Sequence, residues 1–136
     1  IITVVFENCL YYSLFTRLMK KKIFCFDIDN TICKTSKSNY SKSIPNKKAI
    51  KLINSLYLKG HTIKILTARY MGRNNDDLKK ANKQGYKKTF AQLKKWNLKF
   101  HKLFISKPNY DIFIDDKSLN FNKKWISEIQ KKYLRH

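Results

Sequence analysis

Acidic residues are scarce in this chain of 136 residues, which has nine Asp and Glu against thirty Lys and Arg and a formal net charge of +21. Glycine and proline are also scarce, with three and two residues. Hydrophobic residues nevertheless make up 43% of the chain and aromatic residues 14%, a composition that excludes disordered and fibrous proteins. The length fits a single domain. We therefore expect one globular domain with a genuine core.

Cysteine is rare as well, and its placement excludes two kinds of small scaffold. Cys9, Cys25 and Cys33 form no CxxC pair and have no neighbouring His that would complete a zinc site. Their odd number argues against a disulfide framework. We expect a reducing, cytoplasmic setting.

The excess of positive charge favours nucleic acid, an anionic membrane or a phosphorylated small molecule as partner. However, 26 of the 30 basic residues are Lys, they are spread along the whole chain, and Asn and Ile are also abundant. An AT-rich coding sequence produces the same composition. A functional basic surface and a compositional bias both remain open as explanations.

The first nineteen residues are mostly apolar and lie at the short limit for a membrane span. They lack the basic start and the small-residue cleavage site of a signal peptide. Met19 is followed by three Lys and resembles a natural start. We expect residues 1–18 to be an upstream extension or poorly ordered, and residues 19–136 to form the folded domain. A packed extra helix and a membrane anchor are the alternatives.

Apolar runs alternate with helical periodicity along the rest of the chain, and residues 30–46 form a polar loop between them. This order predicts an α/β fold with a Rossmann-like parallel sheet, covered by helices on both faces and with its active site beyond the carboxyl ends of the strands. Strands are predicted at Ile23–Asp27, His61–Thr67, Lys102–Ser106 and Asp111–Asp115, and helices at Lys47–Lys59, Asp76–Trp96 with a break near Gly85, and Lys123–Tyr133.

Four of the seven aspartates, Asp27, Asp29, Asp115 and Asp116, follow two of the predicted strands. Carboxylates gathered at one sheet edge repel one another unless a cation neutralises them, and an all-oxygen ligand set suits Mg²⁺. One such pair alone is typical of a helix cap or turn. Both pairs together favour a magnesium site.

Four short motifs occur in a fixed order and resemble those of the haloacid dehalogenase (HAD) superfamily of phosphotransferases. They are Asp27 to Thr31 (DIDNT) after an apolar strand, Thr67 in ILTAR, Lys107 in SKP, and the acidic pair in FIDDK. The similarity extends from Ile23 to about Trp125. Thr67 and Lys107 are weak signals singly, but the ordered set is specific.

The resemblance implies that Asp27 is a nucleophile that forms an aspartyl-phosphate, while Asp29 acts as general acid and then as general base. It further implies that Thr67 binds the phosphate, that Lys107 offsets negative charge, and that Thr31 supports the substrate loop.

The metal ligands implied by the resemblance are Asp27, the backbone carbonyl of Asp29, and either Asp115 or Asp116. Which member of the acidic pair binds Mg²⁺ directly is left open by the sequence. An acid at the position of Asp29 is typical of phosphatases in this superfamily and disfavours a dehalogenase.

The intervals between the motifs are too short or too helical for an inserted cap domain, so we expect a capless enzyme with an open site. The segment TARYMGRNNDD (67–77) resembles small capless phosphatases of surface-polysaccharide biosynthesis and, more loosely, the phosphatase domain of polynucleotide kinase-phosphatases. Arg69 and Arg73 lie in it and are candidates to clamp a substrate anion. Surface solvation or a contact at a helix start is the alternative for both.

These observations favour a Mg²⁺-dependent phosphomonoesterase that acts on a sugar phosphate or a related metabolite. A phosphatase for nucleic-acid 3′ ends is the alternative enzyme, favoured by the charge. A non-catalytic nucleic-acid-binding module is a third hypothesis, weakened because all the motif aspartates are present. No membrane partner is expected unless residues 1–18 are an anchor, and the oligomeric state is left open.

Overall fold

A computed structural model of the chain describes residues 20–134, so the expectation for residues 1–18 lies outside the described part. Within it, two single turns of 3₁₀ helix occur at Tyr40–Lys42 and Gly72–Asn74. The strands are β1 (Ile23–Phe26), β2 (Cys33–Lys34), β3 (Ile44–Pro45), β4 (Thr62–Thr67) and β5 (Lys102–Ile105). The helices are α1 (Lys47–Leu58), α2 (Leu78–Lys95) and α3 (Trp125–Tyr133).

The main sheet has three parallel strands in the order β1-β4-β5, with Phe24 beside Ile63 and Ile65 beside Leu103. Helices flank this sheet, which is the predicted α/β class and is compatible with a Rossmann-like fold. The predicted polar loop at 30–46 contains more order than expected, because β2 and β3 form a short antiparallel pair within it.

Local sequence signals set the helix limits. The side chain of Asn46 accepts hydrogen bonds from the backbone N–H groups of Lys48 and Ala49 at the start of α1. Gly60 takes a left-handed conformation (φ +85°) just after α1 ends. Asp77 caps α2 through the N–H of Lys80 at 3.0 Å. Helix α2 continues without interruption past Gly85, so the predicted break was wrong.

The core lies on one face of the sheet. Ile63, Ile65, Leu103 and Ile105 are buried there, together with apolar residues of all three helices. The opposite face carries Cys25, Lys64, Leu66 and Phe104, which are exposed or half-buried in the described part of the chain. Among residues 20–134 the helices cover one face of the sheet, whereas the prediction placed helices on both faces. Right-handed crossovers that advance in one direction, from β1 to β4 to β5, place their helices on the same side.

The predicted fourth strand at 111–115 is not formed. Residues 111–114 have no regular secondary structure, and Ile112 and Ile114 are 81% and 92% exposed. A run of β-branched and aromatic residues favours a strand, but a strand is stable only where its backbone groups find a partner edge. Among residues 20–134 this segment pairs with no other strand.

None of the helices within the described range combines the length and the apolarity needed to cross a bilayer.

Candidate active site

A cleft of about 740 Å³ opens at the carboxyl ends of the three parallel strands. Asp27 and Asp29 reach it from the segment after β1, Arg69 and Arg73 from the segment after β4, and Lys107 from the segment after β5. Parallel strands bring such segments together at one edge of the sheet. Five residues that the sequence singled out therefore share one cleft.

A tight turn after β1 directs Asp27 and Asp29 towards this cleft. The carbonyl oxygen of Ile28 accepts hydrogen bonds from three successive N–H groups, those of residues 31, 32 and 33, at 3.2, 2.8 and 3.2 Å. Asn30 takes a left-handed conformation (φ +61°), which Asn tolerates better than most residues. Ile28 itself is fully buried, so the turn anchors in the core while the aspartates on either side line the cleft.

Asp27 forms an ion pair with Lys107, whose Nζ lies 3.5 Å from Oδ2 of Asp27. Burial raises the pKa of Asp27, and the charge of Lys107 opposes that rise. Burial alone would lower the pKa of Lys107, but a hydrogen bond with Tyr110 and the charge of Asp27 raise it. An ion pair by itself would lower the pKa of the aspartate and raise that of the lysine. The pKa of Asp27 is nevertheless raised, because the effect of burial there is larger than that of the charge of Lys107. Lys107 is thereby held as a cation beside the carboxyl group.

Asp29 forms a second ion pair, with Arg69. The Nη2 atom of Arg69 lies 2.8 Å from Oδ1 of Asp29, and its Nε donates to Oδ2 at 2.9 Å. The hydroxyl of Thr35 also donates to Oδ1. Arg69 is only 1% exposed, so it forms part of the cleft wall. The sequence identified Arg69 but not Thr35, since nothing in the polar loop marked that hydroxyl.

Arg73, in contrast, is exposed on the rim of the cleft. Its guanidinium carbon lies 5.2 Å from the ring centre of Tyr40 and 5.0 Å from that of Tyr70, and its Nη2 donates to the carbonyl of Ser38 at 3.4 Å. Lys37 lines the same cleft. The cleft thus holds four basic residues (Lys37, Arg69, Arg73 and Lys107) and two acidic ones, a balance that suits an anionic ligand.

The two predicted threonines do not line the cleft that contains Asp27 and Asp29. Thr67, at the end of β4, is fully buried, and its hydroxyl oxygen accepts a hydrogen bond from the N–H of Arg69 at 3.1 Å. Thr31 lines a smaller neighbouring cleft of about 360 Å³ together with Pro45 and Asn46. The hydroxyl of Thr67 therefore bonds the backbone just after β4, and Thr31 lies within the turn after β1.

The acidic pair Asp115 and Asp116 is exposed and does not line the cleft. Asp115 accepts a hydrogen bond from the N–H of Lys117 at 2.7 Å, a local turn contact. Within residues 20–134 no group of three or more potential metal ligands is assembled. Asp27 and Asp29 alone do not make up the predicted magnesium ligand set.

Comparisons with known proteins show a likeness of fold. No protein-family model matches this chain, and no curated protein matches its sequence. The crystal structure of a structural-genomics target from Vibrio cholerae is similar, with a TM-score of 0.67 and 22% identity over 82% of this chain and 98% of the other. Identity at this level shows a shared fold and carries no statement about activity.

Proposed function

We propose that this chain is a capless, Mg²⁺-dependent phosphomonoesterase of the HAD type. The observation that carries the proposal is the shared cleft, in which Asp27 and Asp29 lie beyond the same strand and Lys107 is 3.5 Å from Asp27. The likeness of the four sequence motifs to that superfamily supports the same conclusion. Short connections between the motifs support the absence of a cap.

In the proposed reaction, a carboxylate oxygen of Asp27 attacks phosphorus, the bond from phosphorus to the ester oxygen breaks, and an acyl phosphate forms. Asp29 donates a proton to the departing alkoxide. As a carboxylate, Asp29 then takes a proton from a water molecule that attacks phosphorus, which releases phosphate and restores Asp27. Lys107, held as a cation, offsets the negative charge around the nucleophile.

The requirement for Mg²⁺ rests on the sequence pattern, because Asp115 and Asp116 stand outside the cleft. No step above is assigned to the metal. The proposed substrate is a sugar phosphate or a related metabolite, for which Arg73 and Lys37 on the rim are candidate contacts. The open, basic cleft also supports the second candidate, a phosphatase for 3′ ends of nucleic acids.

The test is a screen of phosphate esters for phosphate release, with sugar phosphates, nucleotides and a 3′-phosphorylated oligonucleotide as substrates. We expect turnover with Mg²⁺, loss of turnover in EDTA, and poor replacement by Ca²⁺, whose larger and looser coordination shell misplaces nucleophile and phosphate. Asp27→Asn, purified in the same way, controls for contaminating phosphatases. Full activity in EDTA would remove the metal from the proposal, and turnover of no ester would refute the phosphatase.

A further inference from the structure

Arg69 stands out because a cation is almost completely buried in the wall of the cleft. Its side chain is 1% exposed, and each of its guanidinium nitrogens donates to a protein acceptor. Nε and Nη2 hold Asp29, and Nη1 donates to Oε1 of Gln92 at 2.7 Å. A guanidinium whose donors are all used in this way is a poor ligand for a substrate anion, since it would have to leave a buried ion pair and its hydrogen bonds.

Gln92 fixes the guanidinium from the opposite side. Its own Nε2 donates to the backbone carbonyl of Tyr40 at 2.7 Å, so helix α2 and the polar loop are tied together through this amide. Ser43 adds a longer contact to Nη2 of Arg69 at 3.4 Å. Arg69 is therefore held in one orientation by groups far from it in sequence, which is the arrangement expected of a residue that orients a neighbour.

The two carboxylate oxygens of Asp29 are used unequally. Oδ1 accepts hydrogen bonds from Nε and Nη2 of Arg69 and from the hydroxyl of Thr35, with the Cys33 thiol 3.8 Å away. Among the described residues, Oδ2 accepts a hydrogen bond from Nε of Arg69 alone. Asp29 is 23% exposed and lines the cleft that contains Asp27. Oδ2 is thus the oxygen with capacity left to exchange a proton with a ligand.

We infer that Arg69 is a positioning residue that fixes Asp29 so that Oδ2 serves the leaving group, which suits the site to alkyl phosphates. This inference rests on the proposed function. An alkoxide is a poor leaving group and needs a proton as the ester bond breaks, whereas a nitrophenolate departs without one. A rigidly oriented acid is therefore an advantage for alkyl esters and nearly irrelevant for activated aryl esters.

The experiment compares kcat/KM on an alkyl ester, glycerol phosphate, with kcat/KM on p-nitrophenyl phosphate, because kcat/KM covers the steps up to departure of the leaving group. For Arg69→Met we expect a loss of about 100-fold on the alkyl ester and less than about 10-fold on the aryl ester. Arg69→Lys should restore part of the alkyl activity. Arg73→Met, the matched control at the rim, should raise KM by the same factor for both esters.

Two further variants distinguish a positioning role of Arg69 from a general loss of structure. In an Asp29→Asn background, Arg69→Met should lower kcat/KM on the alkyl ester by less than about threefold, because both residues act through one group. Gln92→Leu removes the contact to Nη1 of Arg69 but leaves both members of the ion pair present. It should therefore lower kcat/KM on the alkyl ester selectively, by a smaller factor than Arg69→Met. If Arg69→Met does not fold, this variant tests the positioning role of Arg69.

Equal losses on the two esters, or a full additional loss in the Asp29→Asn background, would overturn the assignment of Arg69. A wild-type chain that turns over neither ester would instead refute the phosphatase itself and this inference with it. The two failures are therefore distinguishable.

Discussion

Burial of Asp27 disfavours the ionised form of its carboxyl group. Burial raises its pKa above the ordinary value of 3.8, with Lys107 opposing the rise. A carboxyl group with a raised pKa in the folded state binds protons more readily there than in the unfolded chain. Its contribution to stability is therefore lost as pH rises from 3.8 through the raised value. At pH values above that range the ionised carboxylate of Asp27 destabilises the fold.

Asp27→Asn should consequently separate activity from stability. We expect the proposed phosphatase activity to fall by at least about 1,000-fold, because the variant lacks the proposed nucleophile. The melting temperature at pH 7 should be unchanged or higher by a few degrees, about the shift that 1 kcal/mol produces in a domain of this size. Asp111→Asn, at an exposed aspartate outside the cleft, is the matched control and should change neither quantity. A clear drop in melting temperature for Asp27→Asn would contradict the account of its pKa.

The buried side chain of His61 should make the stability of the fold depend on pH. It is 2% exposed, and its Nδ1 accepts a hydrogen bond from the N–H of Lys22 at 3.1 Å, so the neutral ring fits the site. Burial lowers its pKa below 6.5, and Lys21, Lys59 and Lys22 lower it further. Its stabilising effect is complete above pH 6.5 and is lost as pH falls from 6.5 towards the lowered value, because the unfolded chain binds the proton first.

Urea unfolding of wild type and His61→Gln at pH 7.5 and pH 5 checks this directly. The free energy of unfolding of the wild type should fall more between the two pH values than that of the variant. Parallel losses in the two proteins would show that other groups cause the pH dependence.

At the scale of elements, helix α2 contains a glycine whose usual cost is offset by packing. Glycine in a helix interior is about 1 kcal/mol less favourable than alanine. A Cβ atom at Gly85, however, would lie 2.0 Å from Cδ2 of Tyr70, inside the volume of the ring. Tyr70 is buried against Ala81 and Ile105, so α2 and the segment after β4 approach each other at this glycine.

Gly85→Ala should therefore destabilise the protein despite its better helix propensity. An overpacking cost of about 3 kcal/mol less a propensity gain of about 1 leaves a net loss of about 2 kcal/mol in the free energy of unfolding. Lys88→Ala, on an exposed position of the same helix, should be nearly neutral. In the double variant Tyr70→Ala with Gly85→Ala, the total loss should be smaller than the sum of the single losses. A stabilised Gly85→Ala variant would show that Tyr70 does not pack there.

The net charge of +21 is a property of the whole molecule, and salt dependence tests whether it contributes to substrate binding. If the substrate is a nucleic acid, each phosphate neutralised releases counterions, and log(kcat/KM) on a 3′-phosphorylated oligonucleotide should fall steeply with log salt. A single strand that makes about four phosphate contacts would give a slope near −3, at about 0.7 per contact. A sugar phosphate, bound through one dianionic group, should give a much shallower dependence.

We expect the sugar phosphate to be the better substrate, with the shallow dependence, because the motifs resemble small-molecule phosphatases most closely. Kinetics on both substrates between 50 and 300 mM salt make the comparison. A steep slope combined with preferred turnover of the oligonucleotide would favour the nucleic-acid phosphatase and give the lysines a function.

The strands of the main sheet and the limits of helix α1 could be predicted from sequence patterns a few residues long. The apolar runs predicted β1, β4 and β5, and Asn46 and Gly60 marked the limits of α1, because capping and backbone conformation depend on adjacent residues. The shared cleft of Asp27 and Lys107 was also predictable, since parallel strands end at one edge.

The roles of the two arginines could be decided only by tertiary structure. Arg69 and Arg73 lie four residues apart in one segment, yet the first is 1% exposed and the second is exposed on the rim. The difference arises from Asp29 and Gln92, which are 40 and 23 residues from Arg69 in sequence. The segment at 111–115 has the pattern of a strand but no partner edge in the described structure. Short patterns determine local conformation, whereas ion pairs and strand pairing depend on which distant groups the fold brings within a few ångströms.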